Sequence, residues 1–214
     1  MSDLINNMIE PGIVQINGIM NNWDRSNRIM AKTRYLVVGT GGRSGMFITA
    51  IAKDYRDTAE LVGFCDVNQV RMDRHNRTLV EWGMAPVPTG KPQDFDRMVR
   101  ENRADVIIVT SVDRTHHRYI IRAMELGCDA ISEKPMTVDA EKAQEILDTI
   151  KRTGRRLRVT FNYRYAPRNS KVKELLMQRA IGDVLSVHFE WLLDTKHGAD
   201  YFRRWHRDKH NSGG

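Results

Sequence analysis

The sequence predicts an α/β fold: a doubly wound parallel sheet, followed by the start of an incomplete α+β open-faced sheet domain. Three observations predict it. Six short β-rich runs recur between residues 34 and 162, separated by helical stretches of about 10–15 residues. Crossovers between parallel strands need that length, whereas hairpins do not. A glycine-rich turn, "GTGGRSG", follows the first run directly. Beyond residue 166 the pattern changes to one helical segment and then a strictly alternating run.

The elements follow in order. "RYLVVGT" (34–40) is a compact apolar run ending in glycine and reads as a buried strand. "GMFITAIAKDY" (45–55) is too long for a strand and reads as a buried helix. "ELVGFCDV" (60–67) is the second strand, and residues 69–82 are helical. "APVP" (85–88) is a short third strand at most. In "DFDRMVREN" (94–102), Phe95, Met98 and Val99 fall on one helical face. "ADVIIVTS" (104–111) is the clearest buried strand. A helix over 115–126 is closed by Gly127, the usual residue past a helix end. "CDAIS" (128–132) is the fifth strand. Ala140, Ala143, Ile146, Leu147 and Ile150 mark one face of a helix with Gly154 beyond it, and "RLRVTFN" (156–162) is the sixth strand.

These runs divide the chain. Residues 1–33 read as a leader or arm, with Met30 as an alternative start. Residues 34–165 form the first domain, and 166–214 open a second. In the second, "SKVKELLMQ" is a helix and "DVLSVHFEWLLD" a half-buried strand. Leu185, Val187, Phe189, Trp191 and Leu193 would face one way, and Ser186, His188 and Glu190 the other. One strand makes no stable sheet alone. The sequence ends at "KHNSGG" without supplying partners, so a truncated domain is expected, with a homo-oligomer formed through residues 184–193.

Composition narrows the setting. Cys65 and Cys128 sit inside apolar runs and read as reduced core residues, which favours the cytoplasm. Neither has a nearby cysteine or histidine partner, so no metal site is expected. No apolar run reaches membrane-spanning length. The net charge of +7 suits phosphate-bearing ligands, but the basic residues are scattered rather than gathered into a nucleic-acid motif.

The turn carries the first chemistry. Gly39 and Gly41 follow a strand and precede a helix, where only small residues let the backbone approach a pyrophosphate. Free amides at the helix start add partial positive charge. Ser44 occupies the third position of G-x-G-x-x-G, where glycine packs helix on strand better. A plain tight turn is the simpler reading of the glycines alone; the strand before and helix after favour a dinucleotide. Asp66 closes the second strand about 25 residues on, where a carboxylate meets the adenosine ribose diol and repels a 2′-phosphate. This favours NAD, while Arg43 and Arg71 keep NADP open. The competing reading of Asp66 is a cap for the next helix. Thr110 and Ser111 end the fourth strand, within reach of a nicotinamide or its ribose if the strand order is the usual one. His116 and His117 start the following helix.

"EKP" ends the fifth strand. Glu133 and Lys134 point apart, because neighbouring strand residues alternate faces. Pro135 stops the strand for want of an amide donor. Lys134 is therefore placed at the crevice rim, where it becomes a candidate proton shuttle. A surface lysine is the plainer reading of the residue taken alone.

Over residues 33–214 the chain resembles the Gfo/Idh/MocA family of nicotinamide-dependent oxidoreductases. "GTGGRSG", "FCD" and above all "EKPMT" carry the resemblance, with "FNYRY" and "IGDVLSV" in support. It implies a dinucleotide-binding Rossmann domain followed by an open-faced sheet domain. It also implies NAD held by Gly39, Thr40, Gly41, Gly42, Arg43, Ser44, Asp66, Thr110, Ser111, Glu133 and Lys134. Lys134 would take the proton of a sugar or polyol hydroxyl, with Arg164 as a substrate contact. Ser111, Val112 and Asp113 stand where members commonly carry Thr-Pro-Asn. The family's segment after "SGG" typically brings a histidine or aspartate pair, so binding without turnover, as a sensor or scaffold, is the alternative expectation. A nucleic-acid binder is a third.

Overall fold

A computed structural model describes residues 31–164 and 166–213. The expected leader, 1–33, lies outside the described residues except for its last three positions. The strands are β1 (Thr33–Val38), β2 (Ala59–Cys65), β3 (Thr89–Gly90), β4 (Val106–Val109), β5 (Asp129–Glu133) and β6 (Leu157–Thr160). Between them lie α1 (Ser44–Thr49), extended by a π-helical turn at Ala50–Asp54, then α2 (Gln69–Glu81), α3 (Phe95–Glu101), α4 (His116–Glu125) and α5 (Ala140–Thr153). The sheet order is β3-β2-β1-β4-β5-β6, and every pairing is parallel.

Each face of the sheet carries its own core. On β1, Tyr35 and Val37 pack with Phe47 and Ile48 of α1, Ile51 of the π-helical turn and Met72 of α2. Leu36 and Val38 turn the other way, onto Phe95, Met98, Ile120, Met124 and Ile146 of α3, α4 and α5. Both faces of the strand are covered, so its sequence runs continuously apolar rather than alternating. Leu36 and Val37 are fully buried; burying each such side chain contributes about 1.5–3 kcal/mol. Asn68 caps α2 by accepting from the amide of Arg71, and Asp139 caps α5 by accepting from that of Lys142.

Two expectations need correction. The third strand lies at Thr89–Gly90, not at 85–88. Pro86 and Pro88 have no amide to donate. The segment is instead tied down by Asn76, whose side chain donates to Val87 O and accepts from Val87 N, both at 2.9 Å. The alternating run at 184–193 joins no ladder among the described residues. Its apolar side chains stand exposed, Leu185 at 94% and Phe189 at 77%. Alternation marks a strand only when a partner strand supplies hydrogen bonds, and none of the six strands reaches it.

The helix expected over 170–178 forms as α6 (Pro167–Met177). Two further helices, α7 (Thr195–Arg203) and α8 (Lys209–Ser212), escaped the sequence reading. Among the described residues no helix is long and apolar enough to cross a membrane.

Candidate functional site

β1 lies between β2 and β4, so the chain leaves it at the point where strand order reverses. In open α/β sheets ligands bind outside the strand ends at that point. Gly39 is the first residue past β1, at φ +84°. A Cβ there would lie 2.5 Å from the Cα and N of Ser111 and 2.6 Å from the carbonyl carbon of Thr110. Its amide donates to Cys65 O at 2.8 Å, and its carbonyl accepts from Thr110 Oγ1 at 2.6 Å. Gly39 is thus clamped between the ends of β2 and β4. Gly41 and Gly42 differ, because a Cβ on either would meet nothing within 4 Å. They present bare backbone. Arg43, at the N-cap of α1, makes no capping bond through its side chain, so no side chain satisfies the first-turn amides.

Asp66 fixes the other wall. Its Oδ2 accepts from both the amide and the hydroxyl of Thr40, and its Oδ1 from the amide of Asn68 at 2.8 Å. An ionised carboxylate offers about four acceptor positions. Three are used, and one on Oδ1 is left for a ligand hydroxyl. Ser44 is fully buried, and its hydroxyl donates to Gly41 O at 2.7 Å. A serine therefore serves at the third pattern position by closing the turn on itself. His75, which sequence reasoning missed, completes the layer. Its Nε2 lies 3.3 Å from both Ser44 Oγ and Thr40 O. Burial holds its titration below the ordinary imidazole value, and because the Thr40 carbonyl can only accept, Nε2 is the nitrogen that carries the proton towards it.

The β4 and β5 ends form the opposite side. Thr110 is buried with its hydroxyl spent on Val38 and Gly39 carbonyls. Ser111 Oγ pairs with Thr115 Oγ1 at 2.7 Å. Glu133 is 4% exposed. It accepts from Thr160 Oγ1 at 3.1 Å and from the amide of Lys134 at 3.2 Å, and Arg43 Nε stands 3.7 Å away. The Arg43–Glu133 pair ties the glycine turn to the strand that delivers Lys134. Lys134 itself is exposed, and its bond to Pro135 is cis. Arg43 is thereby engaged on the β5 side rather than beside Asp66, while Arg71 remains in the first turn of α2.

Asp113 lies in a 3₁₀ turn (Asp113–Thr115) between β4 and α4. Burial pushes its carboxyl up to about 6, against the pull of His116 and Lys134. The folded chain then binds this proton more tightly than the unfolded chain, whose carboxyl titrates near ~3.9. Stability drawn from this group is therefore greatest below about pH 4 and declines as pH rises through about 6. Asp113→Asn cannot ionise. Its urea midpoint should gain on that of the parent chain as pH rises across this window; a constant offset would show that Asp113 titrates normally.

The structure gathers Gly39, Thr40, Gly41, Gly42, Ser44, Asp66, Thr110 and Ser111 at the mouth, with Arg43, Glu133 and Lys134 along the β5 side. Arg164 is not drawn in. It lies exposed past β6 and lines a surface depression with Ser170, Lys173, Glu174 and Met177 of α6. Among the described residues no cluster of histidine, cysteine or carboxylate could hold a metal ion. The arrangement fits a dinucleotide: a wedge only glycine can fill, bare backbone at a helix start and one open carboxylate acceptor.

Comparison with known proteins agrees with the geometry. The Gfo/Idh/MocA model, described as an oxidoreductase family with an NAD-binding Rossmann fold, matches residues 33–161. YteT of Bacillus subtilis is 36% identical over 169 residues, covering 79% of this chain and 39% of YteT. Glucose-6-phosphate 3-dehydrogenase of the same organism is 29% identical over 157 residues, covering 72% and 41%. Scyllo-inositol dehydrogenase of Lactobacillus casei, solved with NAD(H) and scyllo-inositol bound, superimposes with a TM-score of 0.63 at 25% identity, covering 72% of this chain and 43% of that one. The chain spans about two fifths of the length of the curated relatives it matches.

Proposed function

The chain belongs to the Gfo/Idh/MocA oxidoreductase family, with its NAD-binding Rossmann fold, and from that premise we propose that it serves hydride transfer between NAD and a sugar- or polyol-like alcohol or ketone. The carrying observation is the Gly39 wedge at the β1–β4 switch point, with Lys134 delivered by the next strand. Bound NAD would supply the hydride acceptor or donor. Residues 34–165 form the dinucleotide domain, and 166–214 open the substrate and oligomerisation domain. The amides of Gly41, Gly42 and the first turn of α1 hold the pyrophosphate. Asp66 Oδ1 accepts from the ribose, and its charge together with the engagement of Arg43 by Glu133 favours NAD over NADP. Thr110 and Ser111 shape the nicotinamide side. Lys134 Nζ takes the proton of the substrate hydroxyl during oxidation and returns it during reduction. Arg164 contacts substrate only if α6 and the segment after β6 close towards the crevice.

Relatives named for glucose 6-phosphate and scyllo-inositol support a polyhydroxylated substrate. The exposed apolar run at 184–193 supports self-association, and two buried thiols, Cys65 and Cys128, support a reducing, cytoplasmic setting.

Calorimetry with NADH tests the reading. The parent chain should bind saturably. Asp66→Asn turns an amide towards the Thr40 or Asn68 donor and should weaken NADH by roughly tenfold or more, the scale of one hydrogen bond to a charged group. Absence of NADH binding to the parent would sink the proposal. Binding with no turnover across a panel of sugars and polyols would favour a non-catalytic dinucleotide sensor or scaffold.

A further inference from the structure

His116 opens α4 with only 1% of the residue exposed, wedged between the loops that leave two neighbouring strands. Its Nδ1 lies 2.7 Å from the carbonyl oxygen of Pro135, after β5. Its Nε2 lies 3.0 Å from the carbonyl oxygen of Ser111, after β4. A carbonyl oxygen can only accept. Neutral imidazole carries one N–H, so it would satisfy one carbonyl and turn a lone pair on the other. Imidazolium carries two and satisfies both, through charge-assisted bonds stronger than neutral ones.

The surroundings weigh on the same balance. Asp113, on the 3₁₀ turn, is within electrostatic reach of His116, Lys134 and Glu133. Its carboxylate and that of Glu133, on β5, favour a cation between the loops, and Lys134 opposes one. α8 packs on the 3₁₀ turn from outside, with Lys209 and His210 exposed. The two carbonyl dipoles are the nearest partners and act through direct hydrogen bonds.

We propose that His116 is held as an imidazolium and acts as a positioning residue, stapling the Lys134–Pro135 segment to the loop after β4. The staple sets where Lys134 stands relative to the crevice mouth; its value for proton transfer rests on the function proposed above. The sequence placed His116 only as the start of a helix. Its role comes from where the topology sends it, with β4 and β5 adjacent and in register.

Nitrogen-15 correlation spectra of the imidazole in the full chain at neutral pH decide the protonation. Two protonated ring nitrogens on His116 are expected; one protonated and one bare nitrogen would overturn the proposal. His116→Gln tests the staple, since one amide nitrogen cannot reach both carbonyls. In the folded variant, hydrogen exchange at Lys134, whose amide donates to Glu133, should accelerate roughly tenfold, the loss of one charge-assisted bond, with β1 amides unchanged. Unaltered exchange there would refute the staple. Should the variant fail to fold, the spectra of the parent chain still decide between the two protonation states. Neither readout needs NADH, so failure of the parent to bind it would refute the proposed function and leave this inference standing or falling on its own.

Discussion

Alanine at position 39 is expected to cost the fold about 4 kcal/mol and to abolish NADH binding. Two costs add. Gly39 sits at φ +84°, where an L side chain costs about 1–2 kcal/mol. The new Cβ would then lie 2.5 Å from Ser111 N and Cα. Those atoms are backbone, held in place by the β1–β4 ladder and by the Thr110 hydroxyl on Gly39 O, so no flexible side chain can yield. Forcing atoms into such a site costs about 1–3 kcal/mol more. Gly41→Ala is the control. Its Cβ meets nothing within 4 Å, so the fold should lose less than about 1 kcal/mol, the ordinary scale of an unstrained surface change. NADH affinity should still fall, because the methyl occupies space assigned to the pyrophosphate. Urea unfolding and calorimetry on both variants separate the two roles. Equal stability losses would show that the wedge is not the special position; retained affinity in Gly41→Ala would show that the pyrophosphate lies elsewhere.

That contrast between two glycines marks the limit of what the sequence discloses. The string "GTGGRSG" announces a turn between strand and helix, and the spacing of the six runs announces a parallel sheet; the strand order comes from the structure. The string does not say that Gly39 answers to the end of β4 while Gly41 answers to a ligand. That division depends on Ser111, which is distant in sequence and adjacent only once β1 and β4 pair. His75 and the role of His116 were hidden for the same reason: each supports a site residue across the sheet, and a histidine on a helix carries no local signal of that. Thr160 is similar, since its hydroxyl on Glu133 becomes visible only when β6 lies beside β5. The misplacement of β3 was of another kind. The pattern "APVP" is apolar, but two prolines remove ladder donors and Asn76 takes over the bonding of Val87. The run at 184–193 shows that alternation states which faces a strand would have, not whether a partner is present to make it one.

Lys134→Met should lower turnover by about 10²–10⁴, the range that a positioned general acid or base contributes, with a much smaller loss of NADH affinity, from whatever contact the amine makes with the dinucleotide. The structure separates these two effects. The Lys134 amide, not its side chain, is what Glu133 holds, so the substitution leaves the Arg43–Glu133–Thr160 network intact. Methionine keeps the length and flexibility of the stem and removes only the amine. Lys134→Arg then distinguishes two reasons why a cation would matter. A guanidinium keeps the charge and its donors but cannot give up a proton in water at any ordinary pH. If the amine acts by taking the hydroxyl proton of the substrate, arginine should be about as inactive as methionine. If it acts only by its charge near a developing alkoxide, arginine should retain activity within about tenfold. Steady-state rates on whichever sugar or polyol the parent oxidises, read beside calorimetry, make the comparison. An active arginine variant would replace the proton shuttle with an electrostatic role, and an active methionine variant would remove residue 134 from the chemistry altogether.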